Sequence, residues 1–250
     1  MKKTILSIFF IATALITARA QFSLFATVNA KAGILQGTSF KRFADSYNLT
    51  NPDNETKLKN FGLAYGYSIT GDLFFDDASI YMGYYQHRLM ANTESKINNY
   101  YSRVFHMIQK SYGGDFGFGK SEDGKAFAIF MGIYFGTTNL KSGLTYRDGY
   151  TSYGSDAILN GIFHSFAFSG SLGAKYIACA GPVGISAAIR WSPLFGASEY
   201  YDFGRDANQI GEDWKTYSSV PSYNYSGKYL TSAAQSFTID LGLAIHINKD

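Results

Sequence analysis

The side chains best suited to chemistry are few and scattered. Four histidines, His87, His106, His164 and His246, have no i, i+2 or HExxH spacing, so no two are placed to share a metal ion. His164-Ser165 is the one adjacent base and nucleophile. Nucleophilic catalysis needs the base within hydrogen-bond reach of the hydroxyl, and consecutive residues of a strand point to opposite faces. Asp72, Asp76 and Asp77 cluster in what reads as a short turn, where solvated carboxylates are expected and the ligands are too few for calcium. The run Gly113-Gly114-Asp115-Phe116-Gly117-Phe118-Gly119 has the glycines of a phosphate cradle but no helix after it. It reads as a strand, with Gly113-Gly114 marking a bulge. No GxxxxGK[ST] or GxSxG motif occurs, and the single Cys179 excludes a disulfide scaffold or a multi-Cys zinc site. The expectation is a chain without catalytic, cofactor-binding or metal-ligating residues, and without a cofactor.

The elements that would hold such residues are extended. Of 250 residues 46% are apolar and 16% charged, with 26 Gly, 20 Tyr, 21 Phe and 4 Pro. High Gly with high Tyr and Phe favours pleated surfaces and argues against a helical bundle or a disordered chain.

Met1 to Ala20 has basic Lys2 and Lys3, an apolar run from Ile5 to Ile16, and a small-x-small end at Ala18-Arg19-Ala20. This is the layout of a cleaved secretory signal peptide (1–20). No Cys follows the apolar run to take a lipid. Removing Lys2, Lys3 and Arg19 leaves 19 basic residues against 19 acidic ones. The mature chain is formally neutral, with no field to attract nucleic acid.

From residue 21 onward no apolar run is long enough for a membrane helix, and period-two alternation dominates. Phe22, Leu24, Ala26, Val28, Ala30, Ala32 and Ile34 form one apolar face, and Phe237, Ile239, Leu241, Leu243, Ile245 and Ile247 another. Between them lie Phe61, Leu63, Tyr65, Tyr67 and Ile69 (59–70) and a strand at 78–91 whose two aromatic faces leave its phase open. A long strand follows at 100–118. Phe127, Ile129, Met131, Ile133 and Phe135 mark 125–137, Phe166, Phe168, Leu172 and Tyr176 mark 163–178, and Val183, Ile185, Ala187, Ile189 and Trp191 mark 183–194. The connections hold 23, 7, 8, 6, 25, 4 and 40 residues in order. Every long one is odd-numbered, so an up-and-down barrel would gather all of them at one rim. That asymmetry is characteristic of transmembrane barrels, with brief periplasmic turns and extended extracellular loops. One domain, 21–250, is expected: an all-β transmembrane antiparallel barrel of eight strands, or ten if loop 195–234 holds a hairpin.

In lipid the apolar face must look outward and the polar face fill the cylinder. Lys31, Lys175, Arg190, Asp240 and Asp115 are then lumenal, as is His246. Arg190–Asp240 is the expected ion pair, because the last two strands are neighbours. Eight strands leave room for packed side chains and not for a wide channel, so these charges read as a plug. Tyr100, Tyr101, Phe163, Trp191 and Phe195 are expected in an outer aromatic girdle, and Tyr176, Phe118 and Phe22 in an inner one.

The chain end, Asp240-Leu-Gly-Leu-Ala-Ile-His-Ile247, resembles the insertion signal of outer-membrane barrels at Asp240, Gly242, Ile245 and Ile247, although Asn248-Lys249-Asp250 replaces the usual terminal aromatic. The mature chain resembles the small outer-membrane barrels of the OmpA transmembrane-domain and OmpX kind. That resemblance implies insertion by the outer-membrane assembly machinery, contact with outer-membrane lipids and lipopolysaccharide, and a bacterial outer-membrane location. With the chain ending on the eighth strand, no peptidoglycan-binding domain is expected. Outer-membrane lipid A deacylases, barrels too, place one residue between His and Ser and an Asn after the Ser; here the pair is contiguous and Phe166 follows. Loop 195–234 mixes Tyr200, Tyr201, Trp214, Tyr223 and Tyr225 with charges such as Arg205 and Asp213, a composition suited to an extracellular ligand. The expected role is non-enzymatic, structural or surface-interacting. The alternatives are a narrow porin or transporter for small or apolar solutes, a lipid A-modifying hydrolase, and a soluble lipocalin-like barrel with its apolar face inward.

Overall fold

The computed structural model describes residues 22–37, 44–45, 47–48, 51–75, 78–152, 161–195 and 234–247, with backbone only at 152, 161–167, 194–195 and 234. The alternation of apolar and polar residues is realised as antiparallel strands: β1 (Phe22–Gly37), β2 (Leu63–Phe75), β3 (Ile80–Lys96), β4 (Tyr101–Glu122), β5 (Lys125–Tyr146), β6 (Thr151–Ser152), β7 (Gly161–Ala180), β8 (Val183–Phe195) and β9 (Ala234–His246). Leaving aside β6, each strand pairs with the one before and the one after it, β5 with β7 included, and β1 pairs with β9, so the sheet closes on itself. The two-residue β6 only folds back on the end of β5. Eight strands make the ring. Because β8 and β9 are hydrogen-bonded from Val183↔Ile245 to Leu194↔Ala234, no ninth or tenth strand can stand between them. The residues of the long loop, 196–233, lie outside the described residues.

Closure fixes the geometry. Following partners once round the ring from Phe127, through Tyr176, Ala187, Leu241, Ala30, Tyr67, Arg88 and Lys110, returns to β5 at Thr137. The return is displaced by ten residues (137 against 127). With strands about 4.8 Å apart and a rise of about 3.3 Å per residue, ten residues of offset over eight strands tilt each strand by about 40°. A residue then advances about 2.5 Å along the barrel axis.

Exposure follows the expected phase. Val28, Ile129, Met131, Ile185, Ile189, Ile239, Leu241 and Leu243 all face outward and are more than half exposed. Between them Thr27, Lys31, Ser186, Arg190 and Asp240 are buried inside. From Leu24 to Ile34 the outward face of β1 spans about 25 Å of axis, the height of a hydrocarbon band. The third strand's phase is now fixed: Ile80, Met82 and Tyr84 look out, while Tyr81, Tyr85 and Leu89 fill the interior.

Several expectations are corrected. β3, β4 and β5 run on well past the apolar band, because polar residues can continue a ladder beyond a bilayer. The connection expected at 138–162 opens as strand, with β5 continuing to Tyr146. Phe61 precedes β2 and is buried, 2% exposed, as are Leu58, Tyr47 and Phe105, the last two packed edge to face with centroids 5.5 Å apart. Gly113-Gly114 forms no bulge; both pair in unbroken register with Tyr85 and Tyr84 on one side and Tyr134 and Ile133 on the other. Tyr101 starts β4 about 20 Å beyond the band, so Tyr100 and Tyr101 are not girdle residues. Tyr65, Phe135, Phe168 and Phe237 stand near that level instead. The side chains of Phe163 and Phe195 lie outside the described residues.

The opposite rim is trimmed to tight turns. Asp123 and Gly124 have φ of 50° and 73°, as a two-residue type I′ hairpin demands, and Glu122 pairs directly with Lys125. Gly181, at φ 71°, opens the Gly181-Pro182 turn between β7 and β8.

Candidate functional site

The barrel's chemistry is concentrated in its lumen, where six charged side chains from six strands interlock. Lys31 on β1 lies opposite Asp240 on β9 in register, and its Nζ is 2.8 Å from Oδ1. The same Nζ donates to Tyr85 Oη at 2.7 Å and Thr238 Oγ1 at 2.8 Å. Asp240 Oδ2 accepts from Ser68 Oγ at 3.0 Å and Tyr85 Oη at 3.3 Å.

The other two pairs reach across the cylinder. Lys175 on β7 donates to both oxygens of Asp72 on β2 at 2.7 Å, and to Thr70 Oγ1 at 2.7 Å. Tyr81 Oη completes that carboxylate at 2.6 Å. Arg190 on β8 forks onto Asp115 on β4, Nη2 to Oδ2 at 2.7 Å and Nη1 to Oδ1 at 3.1 Å. Nη1 also donates to Tyr134 Oη at 2.7 Å, and Tyr134 in turn donates to Asp115. The guanidinium lies over the rings of Tyr85 and Phe130, 3.8 and 4.3 Å from their centres.

Two expectations change here. Arg190 takes Asp115 as its main partner; Asp240 is a second neighbour, 3.8 Å from Nε. A neighbouring strand is a poor guide in so narrow a lumen, since a long side chain reaches the opposite wall. Asp72 is not a solvated turn carboxylate: β2 continues to Phe75 and carries Asp72 inside, fully buried. Asp76 and Asp77 lie outside the described residues. Lys31, Lys175 and Arg190 against Asp72, Asp115 and Asp240 leave the lumenal core neutral, each side chain 3% exposed or less. Sequence reasoning also missed Tyr81, Tyr85 and Tyr134, the hydroxyls that bridge these pairs. For Tyr81 and Tyr85 the signal was the doubly aromatic 78–91 stretch.

Space for the network is made by small residues. A Cβ on Gly132 would sit 2.0 Å from Tyr134 Oη and 2.5 Å from Asp115 Oδ1. Only glycine leaves room for that hydroxyl to reach its carboxylate.

The remaining candidates stay apart. His87 is lumenal, its Nδ1 without a hydrogen-bond partner, between the rings of Tyr85 and Tyr134. His106 faces outward, its Nδ1 2.6 Å from Asn92 Oδ1. His246 stacks on Phe25 with centroids 4.4 Å apart. His164 and Ser165 occupy consecutive positions of β7, paired with Asn139 and Thr138. Among the described residues no three His, Cys, Asp or Glu side chains are grouped to hold a metal ion.

No protein-family model and no curated protein matches the chain. Solved structures resemble it in outline. Ail, the attachment invasion locus protein of Yersinia pestis, is 7% identical over 91% of this chain and 99% of that one, with a TM-score of 0.42. Neisserial surface protein A is 9% identical over 90% and 98%, with a TM-score of 0.37. The outer membrane protein OprG from Pseudomonas aeruginosa is 9% identical over 92% and 98%, with a TM-score of 0.38. The fold is a small membrane-spanning β-barrel. Its own register and burial establish this: a closed ring leaves no edge unpaired, the exterior is apolar over one bilayer height, and the interior is polar.

Proposed function

We propose that this is an integral outer-membrane protein, secreted through a cleaved signal at 1–20, that works as a non-conducting, non-enzymatic scaffold for its surface loops. One observation carries the reading: the lumen is occupied by three buried ion pairs and the tyrosines bonded to them, with no surplus charge among these six side chains. A solute or ion path needs groups free to exchange partners, and a charged group pulled from such a network leaves its counter-charge stranded. Function is therefore assigned to the long-loop rim, where strands extend past the membrane and loop 195–234 offers aromatic and charged side chains to an extracellular partner. The assembly machinery and lipopolysaccharide are the partners this location brings.

Planar-bilayer recording tests the reading. Purified protein inserted at single-molecule density is expected to give no steps above the bare-bilayer baseline. Discrete, ohmic openings would favour the narrow transporter, and altered acylation of lipid A on overexpression would favour the hydrolase.

A further inference from the structure

The outward face of the barrel breaks its apolar pattern in one sector. Arg88 on β3 and Lys110 on β4 both point away from the lumen, since His87, Leu89, Gln109 and Ser111 beside them are buried. The two are direct cross-strand partners. Like charges directly opposite one another on a sheet repel. Around them stand Tyr67 and Tyr112, each more than two-fifths exposed, so this is part of the apolar band and not the loop region. On the axis scale set by the strand tilt, Arg88 and Lys110 lie about 4–7 Å inside Leu63, the band's outward edge. Among the described residues they are the two outward basic side chains within that band, and β3 and β4 place no outward carboxylate between Glu94 and Glu122. Arg88 Nε is shielded and has no hydrogen-bond partner.

Directly above, at the long-loop end of β2 to β4, a groove of about 530 Å³ is lined by Lys57, Lys59, Asn60, Asn92, Glu94 and Lys96, with Leu63 at its edge. Lys96 there is occupied by Glu55 at 2.6 Å.

We propose that Arg88 and Lys110 form a binding site for a phosphate of an outer-leaflet glycolipid, whose sugars lie in the groove above. A cation on the lipid face is costly, most at the midplane and less near the interface, and two facing each other compound that cost. A phosphate between them satisfies five guanidinium and three ammonium donors in part and removes the repulsion, because charge-assisted hydrogen bonds to phosphate are the strong class. Polar groove residues suit a sugar, while Tyr67 and Tyr112 suit the first carbons of acyl chains. Snorkelling of both side chains to the interface meets neither the repulsion nor the unpartnered Nε.

This site rests on the membrane placement proposed above, and its test keeps the two separable. Native mass spectrometry of the detergent-purified full chain is run with bisphosphorylated lipid A, with the same lipid stripped of both phosphates, and with excess inorganic phosphate as competitor. Wild-type protein is expected to retain the phosphorylated lipid at least tenfold better than the stripped one. R88Q/K110Q is expected to lose that preference, and R88K/K110R to keep it. Equal retention of the two lipids by wild type overturns the site without any variant. Undiminished preference in R88Q/K110Q overturns the residue assignment, and displacement of the lipid by inorganic phosphate overturns the glycolipid. Failure of the membrane placement itself reads out elsewhere, as water contact at a spin label on Leu241.

Discussion

Replacing Asp115 by Ala removes the main partner of Arg190, a cation enclosed in the lumen. Arg190 loses contacts at 2.7 and 3.1 Å, and Tyr134 loses its acceptor. The nearest remaining carboxylate oxygen, Asp240 Oδ2, is 3.8 Å from Nε and already serves the Lys31 cluster through Ser68 and Tyr85. A neutral set of three cations and three anions becomes three against two in a space where Arg190 is 1% exposed. Stranding one member of a buried pair costs about 3–5 kcal/mol; partial sharing of Asp240 puts D115A near the lower end, about 3 kcal/mol. Removing both partners with similar volume, D115L/R190M, is expected within about 1–2 kcal/mol of wild type. The cycle therefore predicts a coupling of about 2 kcal/mol or more. Urea unfolding in lipid vesicles, followed by tryptophan fluorescence and by heat-modifiable gel mobility, measures all four proteins. A D115A loss below about 1 kcal/mol, or a double variant worse than D115A, refutes the reasoning.

On the lipid face, I239R is expected to lose about 2–4 kcal/mol in vesicle unfolding, because Ile239 lies near mid-band and faces outward, whereas Q36R at the rim is expected to change stability by less than about 1 kcal/mol. G132A is expected to cost about 1–3 kcal/mol by pressing a methyl on Tyr134, and G132A/Y134F less than the sum of the singles, measured in the same unfolding assay.

What the sequence shows of this barrel depends on what lipid forces on it. The faces of β1, β5, β8 and β9 were legible because a hydrocarbon solvent favours an apolar residue at every second position, and these four strands follow that pattern across the band. β3 was opaque because this narrow lumen takes rings as readily as lipid does: Tyr81 and Tyr85 line the inside while Tyr84 faces out. Strand ends beyond the bilayer were read short, since no solvent change marks them; β5 runs to Tyr146 on polar and small residues. Five of the six lumenal charges, all but Asp72, were identified, but the main partners were not. Which lysine meets which carboxylate is set by the ten-residue offset of the closed ring, visible only once all eight registers are known. Asp72 was misplaced because its strand runs to Phe75, five residues past the 59–70 that alternation alone suggests. Arg88 and Lys110 drew no notice because a cation on a strand reads as lumenal or solvated until its neighbours fix its side.

The most direct test of the account is the solvent seen by nitroxides on the outward face in reconstituted vesicles. Labels at Leu241 and Ile133 are predicted to collide with oxygen far more than with a water-soluble nickel chelate, and a label at Glu122 in the short turn to show the reverse. Chelate access at Leu241 and Ile133 equal to that at Glu122 would contradict it.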